Sequence, residues 1–310
     1  MDFQEQIERG ALVCPRTHLP LRLSSAGNSL ITTDEGHEYP LLEGKIPVLL
    51  LDEGSADSYW ASSQRMTSEY QPEAVRKRAS LWYRIKTHDY RSRDSLRAFD
   101  ETFGVRHDGY LVLAIGGGPN REPPNAINVN IGPFPNVDVV ADALCLPYAD
   151  DSVDAICCQA VLEHLPDPLK AVNEMHRVLK TGGRVFAATP FLQSYHGYPH
   201  HYQNFTLSGH TRLFEFQGFQ IRESGVCVGP SVMLTDLIRS FIVAYAPKIV
   251  RLPLQKLWGI CGLFIRPLDI LFVRHPSAHM FASTTYLVAE KASIGGRDAN
   301  PSPDSMPGRN

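Results

Sequence analysis

Between residues 110 and 228, short apolar runs alternate with stretches of helical spacing. A mostly parallel β-sheet joined by crossover helices meets that rhythm, because a strand buried on both faces reads as an almost continuous apolar run. The pattern predicts strands over 110–115, 126–129, 137–140, 155–159 and 184–188. It predicts a helix over 168–179, where Leu169, Val172, Met175 and Val178 recur at every third position ahead of the Gly182-Gly183 pair. The expected fold class is therefore α/β, with helices on both faces of the sheet.

The first apolar run, Leu111-Val112-Leu113-Ala114-Ile115, leads directly into Gly116-Gly117-Gly118. Glycines at the carboxyl end of a parallel strand let the backbone approach a ligand closely, at the edge where α/β sheets bind ligands. A glycine-rich turn by itself is more often only a turn. This one is followed at intervals by Asn130 after the second run, by Ala141-Asp142-Ala143 with Leu146-Pro147, and by Asp151-Ser152-Val153-Asp154 before the fourth run. Leu162-Glu163-His164-Leu165-Pro166-Asp167-Pro168 and Leu179-Lys180-Thr181-Gly182-Gly183 complete the series.

In order and spacing these motifs resemble the class I S-adenosylmethionine-dependent methyltransferases, over about 110–228. The resemblance implies a Rossmann-like fold and S-adenosyl-L-methionine as cofactor. It implies that Gly116 and Gly118 line the methionine end, flanked by Ile115 and Gly117, and that Asn130 stands where a ribose contact is expected. Asp142 would accept from the adenine amino group beside the Ala143 amide, and Gln159 would face cofactor and substrate. Two positions depart from the family pattern, since Ala114 and Asn130 stand where acidic residues are usual. The stretch Pro119-Asn120-Arg121-Glu122-Pro123-Pro124 leaves no room for the helix that normally follows the glycine turn, because proline is excluded from a helix interior. The methionine carboxylate thereby lacks a helix N-terminus, and Arg121 is the candidate partner in its place.

After the fifth run come Thr189-Pro190-Phe191 and then Tyr195-His196-Gly197-Tyr198-Pro199-His200-His201-Tyr202, ahead of Phe205-Thr206. A segment so rich in histidine and tyrosine at a strand end is too polar for core and suits a substrate site. It resembles a methyltransferase subgroup associated with glycan and polysaccharide biosynthesis, in which a His-x-x-Pro-His stretch precedes an aromatic residue and a threonine. A hydroxyl acceptor needs a base, and histidine titrates in the useful range. His196 or His200, with His201 beside them, is the candidate base, and Glu163, His164, Tyr195, Tyr198 and Tyr202 are the candidate substrate contacts. The alternative is that these histidines only hold the loop in place. A metal is the third reading of the loop. The loop carries no Asp or Glu to complete a ligand set, and the Glu163-His164 pair, which resembles that of ubiquinone-type O-methyltransferases, has Ala160 where a second Glu is expected, so no metal is assigned.

The opening segment, 1–52, reads as a small β unit. Cys14-Pro15 and the run from Glu38 to Leu50 resemble a zinc-ribbon domain associated with methyltransferases, with Thr17, Thr32 and Glu35 at three of the four ligand positions, so zinc is not expected. Residues 53–108 are read as a polar helical linker, 109–291 as the methyltransferase-like domain, and 292–310 as a disordered tail rich in Gly, Pro, Ser and Asp. A helical insertion over 231–275 precedes the last strand. It is apolar yet broken by charges, with Arg239, Lys248, Arg251, Lys256, Arg266 and Arg274 against Asp236 and Asp269. No uninterrupted span long enough for a transmembrane helix is present, so the insertion is read either as a cap over the substrate or as a peripheral contact with a membrane surface.

A formal charge of −3, from 30 Lys and Arg against 33 Asp and Glu, gives no global reason to expect a nucleic-acid partner. The six cysteines at 14, 145, 157, 158, 227 and 261 are scattered rather than paired, and the start is polar and acidic, which together favour a cytoplasmic location, with the inner membrane face as the peripheral alternative. The expected activity is methyl transfer to an oxygen of a sugar or glycan precursor. The rivals are a small-molecule or quinone-like methyltransferase and a non-catalytic scaffold that keeps the fold.

Overall fold

The computed structural model describes residues 1–51, 90–104, 109–118, 121–197 and 200–292. Its centre is a sheet in which β5 (Val112–Ile115), β6 (Ile127–Asn130), β7 (Val139–Ala141), β8 (Val153–Gln159) and β9 (Leu179–Pro190) run parallel in the order β7-β6-β5-β8-β9. Beyond β9 lie β11 (Thr284–Lys291) and then β10 (Phe219–Val228), both paired antiparallel. This is the Rossmann-like class I methyltransferase arrangement. The last two strands form one long antiparallel pair, interrupted in sequence by the insertion.

Every residue of β5 is buried, because both faces are covered and alternate side chains serve opposite layers. Leu113 and Ile115 join Ile127, Val129, Ile156 and Met175 in one layer. Val112 and Ala114 join Phe103, Phe186, Tyr286 and Val232 in the other. The first layer is closed by α3 (Pro168–Val178), which begins on an Asp167 side chain accepting from the Lys170 amide, with proline in its first turn. The second layer is closed by α2 (Arg93–Phe103), capped by Ser92. Helix α3 stops one residue earlier than the spacing predicts, and β9 starts at once. Gly182, at φ +80°, and Gly183, where a Cβ would lie 2.8 Å from the Lys180 carbonyl, make the kinked start of β9 rather than a separate turn.

The N-terminal unit is a four-stranded meander, β1 (Leu21–Leu23) to β4 (Ile46–Leu49), behind the short helix α1 (Phe3–Glu8). It continues the main sheet, because β4 pairs parallel with β7 through Val48 and Val140. The buried Tyr148 hydroxyl donates to Gln6 at 3.0 Å and fastens α1 to the loop after Asp142. Cys14 is buried with its thiol 3.1 Å from the Tyr39 hydroxyl, Thr32 donates to Asp34, and Glu35 pairs with Arg22. The Thr17 hydroxyl accepts from the Leu19 amide, so all four positions of the zinc-ribbon pattern are tied to protein partners. Most of the linker read over 53–108 lies outside the described residues, and so does the tail from 293.

Helix α4 (Leu207–Glu215) leads into β10; between β10 and β11 the insertion forms α5 (Pro230–Tyr245), α6 (Lys248–Ile265) and the single turn α7 (Asp269–Phe272). Helices α5 and α6 are joined by only two residues and pack against each other as a hairpin. At its base, the buried Asp269 carboxylate accepts from the Ser231 and Val232 amides at 2.7 and 3.0 Å, capping α5 from a distance in sequence. The carboxyl of Asp269 is raised above its usual range by that burial.

Candidate functional site

The glycine turn does what its composition implies. Gly116 has φ +69°, and a Cβ there would lie 2.3 Å from Val161 Cγ2, so glycine is required both by conformation and by space. Gly116 and Gly117, with Ala114 and Ile115, line a cavity of about 540 Å³ at the carboxyl ends of β5 and β8. Arg121 and Gln159 line it too, as do Arg91, Glu122, Asn136 and Cys157, which sequence reasoning did not single out. The thiol of Cys157 is pushed up to about 12 by burial, so it is neutral in that wall.

The described residues 121–126, between the turn and β6, form bends and no helix, as the prolines require. Arg121 is braced against the protein: its guanidinium pairs with Asp138 at 2.8 Å and donates to the Ala126 and Asn136 carbonyls. It holds the loop against β6, while Arg91, 3.7 Å from Glu122, is a second cation on the cavity wall. Gly118, Asn130, Asp142 and Ala143 do not line this cavity. The Gly118 carbonyl accepts from Asn128 Nδ2, Asn130 Oδ1 accepts from the Gly132 amide, and Asp142 Oδ1 accepts from the Leu144 amide at 2.9 Å in a local turn. Burial raises the Asp142 carboxyl above its usual range.

The histidine loop lies at the end of β9 on the same edge of the sheet. A second cavity, of about 230 Å³, is lined by Gln193, Ser194 and His196 of this loop, by Asp236 and Leu237 of α5, and by Ser283 and Thr284 at the start of β11. His196 Nδ1–H donates to the Ser194 carbonyl at 3.0 Å, which leaves Nε2 facing Glu163 Oε1 at 3.9 Å. His164 is arranged alike: Nδ1–H donates to the His200 carbonyl at 2.5 Å and Nε2 lies 3.7 Å from the same oxygen. Glu163 is fully buried and its Oε1 has no hydrogen-bond partner. The Glu163 carboxylate raises the His196 imidazole above its usual range.

The three sequence-nominated histidines therefore separate. His201 accepts the His196 amide on Nδ1 and donates from Nε2 to Asn204, so both ring nitrogens hold the loop. His200 is exposed and its ring lies against Tyr202. Of the three, His196 lines the 230 Å³ cavity. Tyr195 and Tyr202 are exposed, Tyr195 stacking on His201, and Tyr198 lies outside the described residues. Glu163, from beyond β8, sets a carboxylate beside the loop, so that Glu163, His164 and His196 bring three ligand atoms within 4.8 Å of one another. A two-histidine, one-carboxylate set of this kind suits a divalent transition ion.

The sheet order and the glycine-lined cavity at its carboxyl edge make a Rossmann-like fold of the class I methyltransferase type. Residues 124–187 match the family model described as a methyltransferase domain. An uncharacterized methyltransferase of Mycobacterium sp. (strain KMS) is 34% identical over 108 residues, covering 29% of this chain and 43% of that protein. A demethylmenaquinone methyltransferase of Lysinibacillus sphaericus is 38% identical over 56 residues, 18% of this chain and 24% of its own. Among solved structures, a SAM-dependent methyltransferase of Thermotoga maritima superposes with a TM-score of 0.42 at 16% identity, covering 75% of this chain and 99% of that one. The chain thus spans less than half the length of these curated relatives.

Proposed function

We propose that the protein is an S-adenosylmethionine-dependent methyltransferase whose acceptor is a hydroxyl oxygen of a sugar or glycan precursor. One observation carries the reading: the glycine-lined cavity and the His196–Glu163 pair open on the same edge of the sheet, where α/β folds bind ligands. Ile115, Gly116, Gly117 and Gln159 would contact the cofactor, with Arg91 the cation offered to its carboxylate. Asn130 and Asp142, at the ends of β6 and β7, stand where the ribose and adenine would extend. When bound, S-adenosylmethionine would supply an electrophilic methyl group for the acceptor oxygen, and His196 Nε2 would take up the acceptor hydroxyl's proton. Buried Glu163 stabilises the imidazolium that results, and proximity supplies most of the rate.

Titration calorimetry with S-adenosylmethionine tests the cofactor half. The wild type binds, and Gly116→Ala weakens binding by at least about tenfold, or about 1.4 kcal/mol, its thermal midpoint being recorded so that loss of the site is told apart from loss of the fold. No heat from the wild type at millimolar ligand would favour the scaffold reading. Labelled methyl transfer to sugar precursors against quinones then separates the acceptor classes, the menaquinone-pathway relative being the reason to include the second. A divalent ion on Glu163, His164 and His196 is the second reading of the site, favoured by the unpartnered Oε1; it would make the acceptor hydroxyl more acidic. Activity abolished by chelator and restored by manganese or zinc would establish it.

A further inference from the structure

The insertion leaves a large apolar surface in solvent. Along α6 only Gly262 is buried. Ile249, Leu257 and Phe264, 91%, 60% and 75% exposed, lie on one stripe at helical spacing. Phe241 and Tyr245 at the end of α5, one turn apart with ring centroids 4.8 Å from each other, extend it, and Leu271 of α7 is exposed as well. Isolated exposed apolar side chains are ordinary, but many large ones gathered on one helical hairpin mark a docking face.

The charges say what docks there. The insertion has two acids, and both are consumed internally: Asp236 pairs with the buried Arg266 at 3.0 Å, and Asp269 caps α5. The cations do the opposite. Arg239, Lys248, Lys256 and Arg274 are exposed, and none of them has an acidic partner among the described residues. Lys248 and Lys256 flank the apolar stripe of α6 itself. A second copy of the chain would bring these like charges together, which opposes self-association. An anionic bilayer accepts the aromatic and aliphatic side chains at its interface and attracts the lysines and arginines around them. No described helix is long and apolar enough to cross a membrane, so the hairpin lies on the surface and does not span it.

We propose that the α5–α6 hairpin is a peripheral docking surface for an anionic lipid bilayer. Helix α5 also forms one wall of the His196 cavity through Asp236 and Leu237, and Ser240 on it is 2.9 Å from Ser194 of the histidine loop. Docking therefore sets that cavity beside the lipid surface. The proposal rests on the surface alone and stands whether or not the methyltransferase reading does.

Co-sedimentation of the full-length chain with phosphatidylcholine vesicles, with and without phosphatidylglycerol, tests it. Binding is expected only where phosphatidylglycerol is present, and it weakens as salt rises. The double variant Lys248→Glu, Lys256→Glu loses at least about tenfold in affinity, and Leu257→Asp together with Ile249→Asp abolishes binding. All four positions are exposed, so circular dichroism should show an unchanged fold. Absence of binding to both vesicle types overturns the proposal. So does binding that these variants leave unaltered, or a concentration-dependent dimer of the wild type that the apolar variants dissolve.

Discussion

At the scale of single residues, the proposed methyl transfer turns on which histidine would meet the acceptor. The three histidines at 196, 200 and 201 are indistinguishable by type, and their neighbours in sequence do not rank them. Hydrogen bonding does: both nitrogens of His201 hold the loop, the His200 ring lies outside the cavity, and His196 turns Nε2 inward toward Glu163. His196→Ala should therefore lower kcat by about 100- to 10,000-fold while the dissociation constant for S-adenosylmethionine stays unchanged. His200→Ala should retain most of the activity. Equal losses in the two variants, measured by labelled methyl transfer, would return the loop to a purely structural role. The cluster was legible only in part. Glu163 and His164 drew notice as a pair, but their meeting with His196 depends on the crossover from β8 to β9, which no local spacing encodes. Arg91 was missed altogether, because it stands in a polar stretch with no motif and reaches the cavity only through the bridge between Arg91 and Val228.

At the scale of elements, apolar runs buried on both faces were readable to within a residue or two, as at β5, β6 and β8. Half-exposed strands were not. Strand β10 reads Phe219-Gln220-Ile221-Arg222-Glu223-Ser224-Gly225, its outer half mixed polar and apolar as an edge strand requires, and it carries no strong strand signal. The joining of β4 to β7 was equally hidden, since a small β unit reads the same whether it stands alone or extends a larger sheet. The insertion was visible as helical and basic, but its fastening was not. Helix α5 starts at Gly229-Pro230, which offers no side-chain cap, and the missing acceptor comes from Asp269 on α7. Asp269→Ala should thus cost about 1–2 kcal/mol in a thermal or denaturant melt. It should also release amide exchange protection at Ser231 and Val232, and Asp269→Asn, which keeps an acceptor, should recover part of both effects. Unchanged exchange at those two amides in Asp269→Ala would show that α5 is held by packing alone.

At the scale of the whole molecule, the parallel core and its antiparallel flank are locked together where α4 packs under β11, and the contact contains a titratable group. His210 is fully buried among Phe205, Phe214 and Thr285; Nδ1 is 3.2 Å from the Thr285 hydroxyl and Nε2 has no partner. Burial pushes its imidazole down from 6.5 to about 3. The folded state therefore favours the neutral ring. This contribution to stability is complete above pH 6.5 and is lost as pH falls from 6.5 toward 3, where the unfolded chain takes up a proton that the folded one refuses. Within that window the loss should approach about 1.4 kcal/mol per pH unit. The half-buried His176, lowered by burial as well, contributes in the same direction, so the wild-type slope alone does not isolate His210. The difference between wild type and His210→Asn does. Denaturant unfolding between pH 7.5 and pH 5.5 should show a shallower dependence in the variant, by about half a proton's worth of slope averaged over that interval and more at its acid end, whatever its absolute stability. Identical slopes would mean that the α4–β11 contact opens to admit the proton, so that the core and its flank are not one cooperative unit in acid.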